Sequence, residues 1–179
     1  MAGLFRRITE KLFSSKTTPK QTSTQARHVR DKVYDGDTKA MAADYGVTPR
    51  TVLRWIDGTR KKLPKETAAR LEEQATAAQV TDRGRERKAK EMEAAGHGAV
   101  RIRVDRAHDF KIRRSDAMRA RAIDLYLTPE QAAELARAED ELGAHDAVEG
   151  ALLDYFNGGA YVGFQRGDLG FSNDDVEIL

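Results

Sequence analysis

A chain of 179 residues, 40% hydrophobic and 34% charged, has enough apolar material for one ordinary domain or two small ones and too little length for a large catalytic barrel. The absence of cysteine excludes disulfides, thiolate zinc sites and thiol nucleophiles and suits a reducing compartment; no run approaches the ~18 apolar residues of a membrane span, and Met1–Ile8 lacks the apolar stretch of a signal peptide. The formal net charge of +2 conceals a division, because Ile123–Leu179 holds two basic residues, Arg137 and Arg166, against 13 acidic ones, leaving 29 basic and 16 acidic residues in Met1–Ala122. A segment so basic attracts a polyanion, nucleic acid above all, and the acidic end would be repelled by the same phosphates. A cytoplasmic, nucleoid-associated protein with no membrane partner is expected; a helical protein whose charges merely solvate its faces is the alternative.

In chain order, Leu4, Phe5, Ile8, Leu12 and Phe13 fall at helical spacing with Arg6, Arg7, Glu10 and Lys11 between them, predicting a short amphipathic helix. Packing on the body is the plainer expectation, ahead of a partner or a membrane surface. Ser14–Lys20 is polar and contains Pro19, so residues 1–20 read as an amphipathic arm and linker. Residues 21–80 read as an all-helical DNA-binding domain, with breaks at Gly36, Gly46, Gly58 and Pro64. Arg83–Glu91 is charged on every face, which makes residues 81–98 an exposed helical connector.

From Ala99 the period changes to alternation. Val100, Ile102 and Val104 alternate with arginines, Phe110 and Ile112 with Lys111 and Arg113, and Ile123, Leu125 and Leu127 with Asp124 and Tyr126, predicting three strands. Thr128, Pro129 and Gln131 form a capping-box helix start, followed by apolar residues to Phe156, with a break expected at Gly143 and an end at Asn157-Gly158-Gly159. Val176 and Ile178 alternate with charge as a last edge strand. Residues 99–179 therefore read as a C-terminal α+β domain of antiparallel strands covered by one or two helices.

The most specific local signal is a helix-turn-helix at Thr38–Asp57. Such a unit needs a small residue where two helices cross, a glycine where the chain turns at positive φ, and apolar residues at fixed spacing. Ala42, Gly46, and the set Met41, Tyr45, Val47, Val52 and Trp55 meet those needs, with Thr48 as cap and Pro49 as the first residue of the second helix. An αα-hairpin with no nucleic-acid role is the alternative. Because Val52, Trp55 and Ile56 share one face, Arg50, Thr51 and Arg54 project elsewhere, and with Thr48 they are the candidates for groove contact. Arginine usually reads guanine, and neither Asn nor Gln occurs between Thr48 and Asp57, so G·C-containing sites are expected unless the arginines bind phosphate only. Arg60, Lys61 and Lys62 would meet the phosphate backbone, with Arg27, Arg30 and Lys39 in support.

Other chemistry is scarce. His28, His97, His108 and His145 lack ligand spacing, and no phosphate-binding or dinucleotide glycine motif occurs, so no metal and no cofactor are expected. Asp168, Asp174, Asp175 and Glu177 read as an acidic tail rather than a cation site.

Several stretches together are similar to a known family. The helix-turn-helix, the segment Ser115-Asp116-Ala117-Met118-Arg119-Ala120-Arg121-Ala122-Ile123 followed by Leu127-Thr128-Pro129, and the ending Asp174-Asp175-Val176-Glu177-Ile178-Leu179 resemble those of the terminal proteins of actinobacterial (Streptomyces-type) linear chromosomes and linear plasmids. The resemblance runs over most of Asp37–Leu179. The chain departs from the family in presenting serine where threonine is usual and Ala117 where a second acid is usual.

The resemblance implies a protein primer that caps the 5′ ends of linear replicons and stays covalently joined to them while a DNA polymerase fills the telomere end. By position the hydroxyl that accepts the first nucleotide is Ser115. Such a protein is a substrate and not an enzyme, and its partners would be DNA, the polymerase and a telomere-associated protein. No base stands beside Ser115 in sequence, so the polymerase and its metal ions would activate the hydroxyl, while Arg113, Arg114, Arg119 and Arg121 would hold the incoming triphosphate or the template. A transcriptional regulator with a C-terminal dimerisation or partner-binding domain is the rival reading, and a plasmid partition or replication accessory factor a third.

Overall fold

The computed structural model describes residues 3–60, 62–107, 121–158 and 163–179. Its helices are α1 (Leu4–Leu12), α2 (Thr22–Val33), α3 (Thr38–Asp44), α4 (Pro49–Ile56), α5 (Lys65–Ala77), α6 (Asp82–Glu93), α7 (Pro129–Arg137) and α8 (Glu141–Asn157). Strands β1 (Arg101–Ala107), β2 (Arg121–Tyr126) and β3 (Val176–Ile178) form an antiparallel sheet in the order β2-β1-β3. The chain is thus α+β. It divides into two compact units, Phe13–Thr81 and a second made of Met1–Leu12 with Asp82–Leu179.

The first unit is all helix. Gly36, Gly46 and Gly58 each adopt positive φ between helices, and Pro64 stands immediately before α5. Four helices close on one core, in which Ala26 and Val29 of α2, Met41 and Ala42 of α3, Val52, Trp55 and Ile56 of α4, and Leu71 and Ala75 of α5 are buried.

In the second unit the period-two pattern sets the sheet's faces. Ile102 lies opposite Leu125 on one side and Ile178 on the other, and Val104 lies opposite Ile123 and Val176, so the apolar positions stack on one face. On the other face Arg103 lies opposite Asp124 and Glu177. The strand expected at Phe110–Arg113 lies outside the described residues.

Three local expectations need amendment. Segment 82–93 is not an exposed connector with little to bury: Arg85, Ala89 and Met92 are buried and α6 packs against α7. The Arg85 guanidinium donates to the Ala138 carbonyl at the end of α7 at 2.6 Å and sits 5.2 Å from the centroid of the Phe5 ring. Helix α1 packs on the body, as its spacing suggests, but as part of this second unit and not as a separate arm: Leu4, Phe5 and Ile8 are buried and Glu141 at the start of α8 accepts from the Leu4 and Phe5 backbone N–H groups at 2.8 and 2.9 Å. The carboxylate thereby satisfies two of the donors that a helix start leaves unpaired. The break between α7 and α8 falls at Ala138–Asp140, where the Asp140 side chain caps α8 by accepting from the Gly143 N–H at 2.7 Å. Gly143 lies inside α8.

The charge division follows these units only loosely. Phe13–Thr81 carries 13 basic and eight acidic residues, while the other unit carries 18 and 21. Charges from opposite sides of residue 122 pair within the second unit. Arg137 contacts Glu86 and Glu93 at 2.9 and 2.6 Å, and Arg101 contacts Asp124 at 3.1 Å. These pairs are half-exposed and contribute little stability; the Arg101 pair engages one cation of the basic stretch, whereas Arg137 engages two of that stretch's carboxylates.

Candidate nucleic-acid interface

The junction between α3 and α4 is built from local rules. Asp37 caps α3 by accepting from the Lys39 and Ala40 N–H groups at 2.7 and 3.1 Å. At its other end Gly46 takes φ +62°, its N–H bonds the Ala43 carbonyl at 3.1 Å, and the Val47 N–H bonds the Ala42 carbonyl at 2.9 Å. That crossed pair is a Schellman closure, which needs a residue in the left-handed region. Two residues later the Thr48 hydroxyl accepts from the Thr51 N–H at 3.3 Å and Pro49 begins α4.

A Cβ at Gly46 would meet nothing within 4 Å, so only the backbone conformation opposes a side chain there. Gly46→Ala should therefore cost about 1–2 kcal/mol and Gly46→Asn clearly less, since asparagine tolerates this conformation. Thermal unfolding of both variants measures the difference, and equal losses would show that the turn is not held left-handed.

Behind the turn, the Tyr45 ring meets Trp55 edge-on with centroids 5.6 Å apart, and the Arg70 guanidinium lies 4.7 Å from the Tyr45 centroid. The Tyr45 hydroxyl donates to Gln74 Oε1 at 2.8 Å, and burial pushes its pKa well above the ordinary phenol value. Arg70 also closes α3, donating to the Asp44 carbonyl at 2.9 Å and to its carboxylate at 2.6 Å. The Tyr34 hydroxyl donates to the same carboxylate, and this bond, followed by that from Arg70, holds Asp44 below the usual carboxylate range. These contacts tie the end of α3 to α5 and to Tyr34, and Tyr45 in turn meets Trp55 of α4.

With Val52, Trp55 and Ile56 turned inward, Arg50, Leu53 and Arg54 are exposed on α4. Neither arginine forms an ion pair or side-chain hydrogen bond with a described residue. Thr48 and Thr51 are engaged with each other, their hydroxyls 3.0 Å apart. Arg60 and Lys62 are exposed after α4, and Lys61 lies outside the described residues. Of the supporting residues, Arg27 and Lys39 are exposed, whereas Arg30 contacts its neighbour Asp31 at 2.6 Å.

Two features escaped the sequence reading. Leu53 is 44% exposed between the two arginines, and the signal was its i+3 spacing from Arg50. The other is a cleft of about 440 Å³ lined by Lys20, Gln21, Thr22, Ser23, Gly58 and Arg60. It opens at the start of α2, which has no side-chain cap, and only packing brings Gly58 and Arg60 there.

Ser115, Arg113, Arg114 and Arg119 lie outside the described residues. The backbone of Arg121 pairs with Ala107 in the sheet. Among the described residues no cluster of His, Asp or Glu is arranged to hold a metal ion, and no helix is long and apolar enough to cross a membrane. Comparison with protein-family models, curated proteins and solved structures gives no match for this chain.

Proposed function

We propose that the chain is a DNA-binding terminal protein, in which α3 and α4 act as a helix-turn-helix and α4 lies in the major groove of a duplex. The observation that carries DNA binding is the outer surface of α4: two arginines with no partner among the described residues, on a short helix whose other face is anchored in a core. An arginine fork fits the O6 and N7 of guanine, so a G·C-containing site is preferred. Arg60, Lys61 and Lys62 neutralise phosphates beside the groove. Another phosphate fits the cleft at the start of α2, where Lys20, Arg60 and the uncapped backbone N–H groups offer complementary charge.

The role at the ends of linear replicons rests on the resemblance of the Ser115 segment and the C-terminal ending. In that role the Ser115 hydroxyl attacks the α-phosphate of a deoxynucleoside triphosphate bound by the polymerase. A phosphodiester bond forms to the serine oxygen, pyrophosphate leaves, and the serine proton passes to a base on the polymerase side. The chain is then the primer and not the catalyst, with Arg113, Arg114, Arg119 and Arg121 beside the reacting phosphates.

Incubation with polymerase, telomeric template and labelled deoxynucleotide tests this role. Label should remain on the protein after denaturation and be lost in Ser115→Ala. Retention of label in that variant removes Ser115 from the mechanism, and failure to label a chain that still binds duplex favours a transcriptional regulator.

A further inference from the structure

We infer that Leu53 is a specificity-determining residue that reads the C5-methyl group of a thymine, within about two base pairs of the base contacted by Arg50. The inference rests on the placement of α4 in the major groove. A single exposed leucine needs no explanation on an ordinary surface. On this helix its position decides what it meets. Residues 50, 53 and 54 are spaced i, i+3 and i+4, so they share one face, and Leu53 stands one turn beyond Arg50. It is 44% exposed, while Val52 before it and Trp55 two positions after it are buried at 0% and 2%. An approach that turns the Arg50 side of α4 toward base edges brings Leu53, one turn on and exposed, to the groove with it.

The chemistry then selects the base. Leucine neither donates nor accepts a hydrogen bond. Set against a guanine, adenine or cytosine edge, it would strip water from polar atoms and leave them unpaired. The one apolar group on the floor of the major groove is the thymine methyl. Three residues of α-helix advance ~4.5 Å, against ~3.4 Å per base step, which places that thymine one or two pairs from the contact made by Arg50. Arg50 and Leu53 together read a guanine-and-thymine-containing step, a narrower target than the arginines alone define.

The test begins with a duplex pool of randomised centre, selected on the full chain. The preferred duplex is then remade with deoxyuridine in place of each thymine in turn, which removes one methyl group and leaves base pairing intact. Wild-type protein should bind one such duplex roughly fourfold more weakly, the worth of one buried methyl group. Leu53→Ala should bind the thymine and uracil duplexes equally. Leu53→Gln should transfer the preference at that pair from thymine to adenine. Loss of sensitivity to every thymine methyl in the wild type, or its persistence in Leu53→Ala, overturns the assignment of Leu53. So does duplex binding without sequence preference, which leaves DNA binding itself standing. A wild-type chain that binds no duplex overturns the underlying reading instead.

Discussion

Trp55→Ala should destabilise the helical unit by about 3–5 kcal/mol, the range for removing a large buried aromatic, and should abolish DNA binding as a consequence. Trp55 is 2% exposed at the centre of the core shared by α2, α3, α4 and α5, and its ring supports Tyr45 beside the turn. Truncation leaves a cavity under α4, the one helix whose inclination the proposed interface requires. Trp55→Phe provides the control. The indole Nε1 is buried with no hydrogen-bond partner among the described residues, so phenylalanine removes a desolvated donor while keeping most of the apolar surface. Its loss should be well below that of alanine, with DNA binding retained. Chemical denaturation followed by helical circular dichroism checks both, and equal losses would show that the core needs the full indole and gains nothing from a smaller aromatic ring.

The second large effect is on discrimination. Arg50→Ala should cost about 1–3 kcal/mol on a preferred duplex and almost nothing on random DNA, because a base contact is lost and phosphate contacts remain. Lys62→Ala should behave in the opposite manner. It should weaken binding to all duplexes alike and lower the magnitude of the log–log salt slope by about 0.9, the value for one phosphate contact. Competition titrations at several salt concentrations separate the two. Equal losses on preferred and random DNA for Arg50→Ala would assign that arginine to the backbone.

What could be read from residue order was what local geometry decides. Gly46 and Gly58, the Thr48-Pro49 start of α4 and the Thr128–Gln131 capping box each act within a few residues, so their signals are complete in the sequence. The inward set Val52, Trp55 and Ile56 follows from helical period alone, and the same period predicts that Arg50 and Arg54 face outward.

What escaped was set by contacts between distant segments. Glu141 holds the start of α1 from 136 and 137 positions away, and nothing near Leu4 announces that partner. Arg85 looks like one more solvated charge among its neighbours. Its aliphatic stem and planar head are nevertheless buried against Phe5 and the end of α7, a compromise available to arginine because its charge is delocalised. Asp140 was hidden as a cap between Glu139 and Glu141. Leu53 carries no charge to mark it, although its i+3 spacing from Arg50 places it exposed beside that arginine.

In the proposed complex the helical unit grips duplex DNA through α4 and the basic residues around it. Fluorescence anisotropy of a labelled duplex titrated with the full chain, repeated at 50, 100 and 200 mM salt, decides whether it does. A linear fall of log affinity with log salt is expected, together with loss of sequence preference in the paired variant Arg50→Ala/Arg54→Ala. Affinity at 50 mM salt no greater than that of an acidic control protein would contradict the claim, and so would binding to which Arg50, Arg54 and Lys62 contribute nothing.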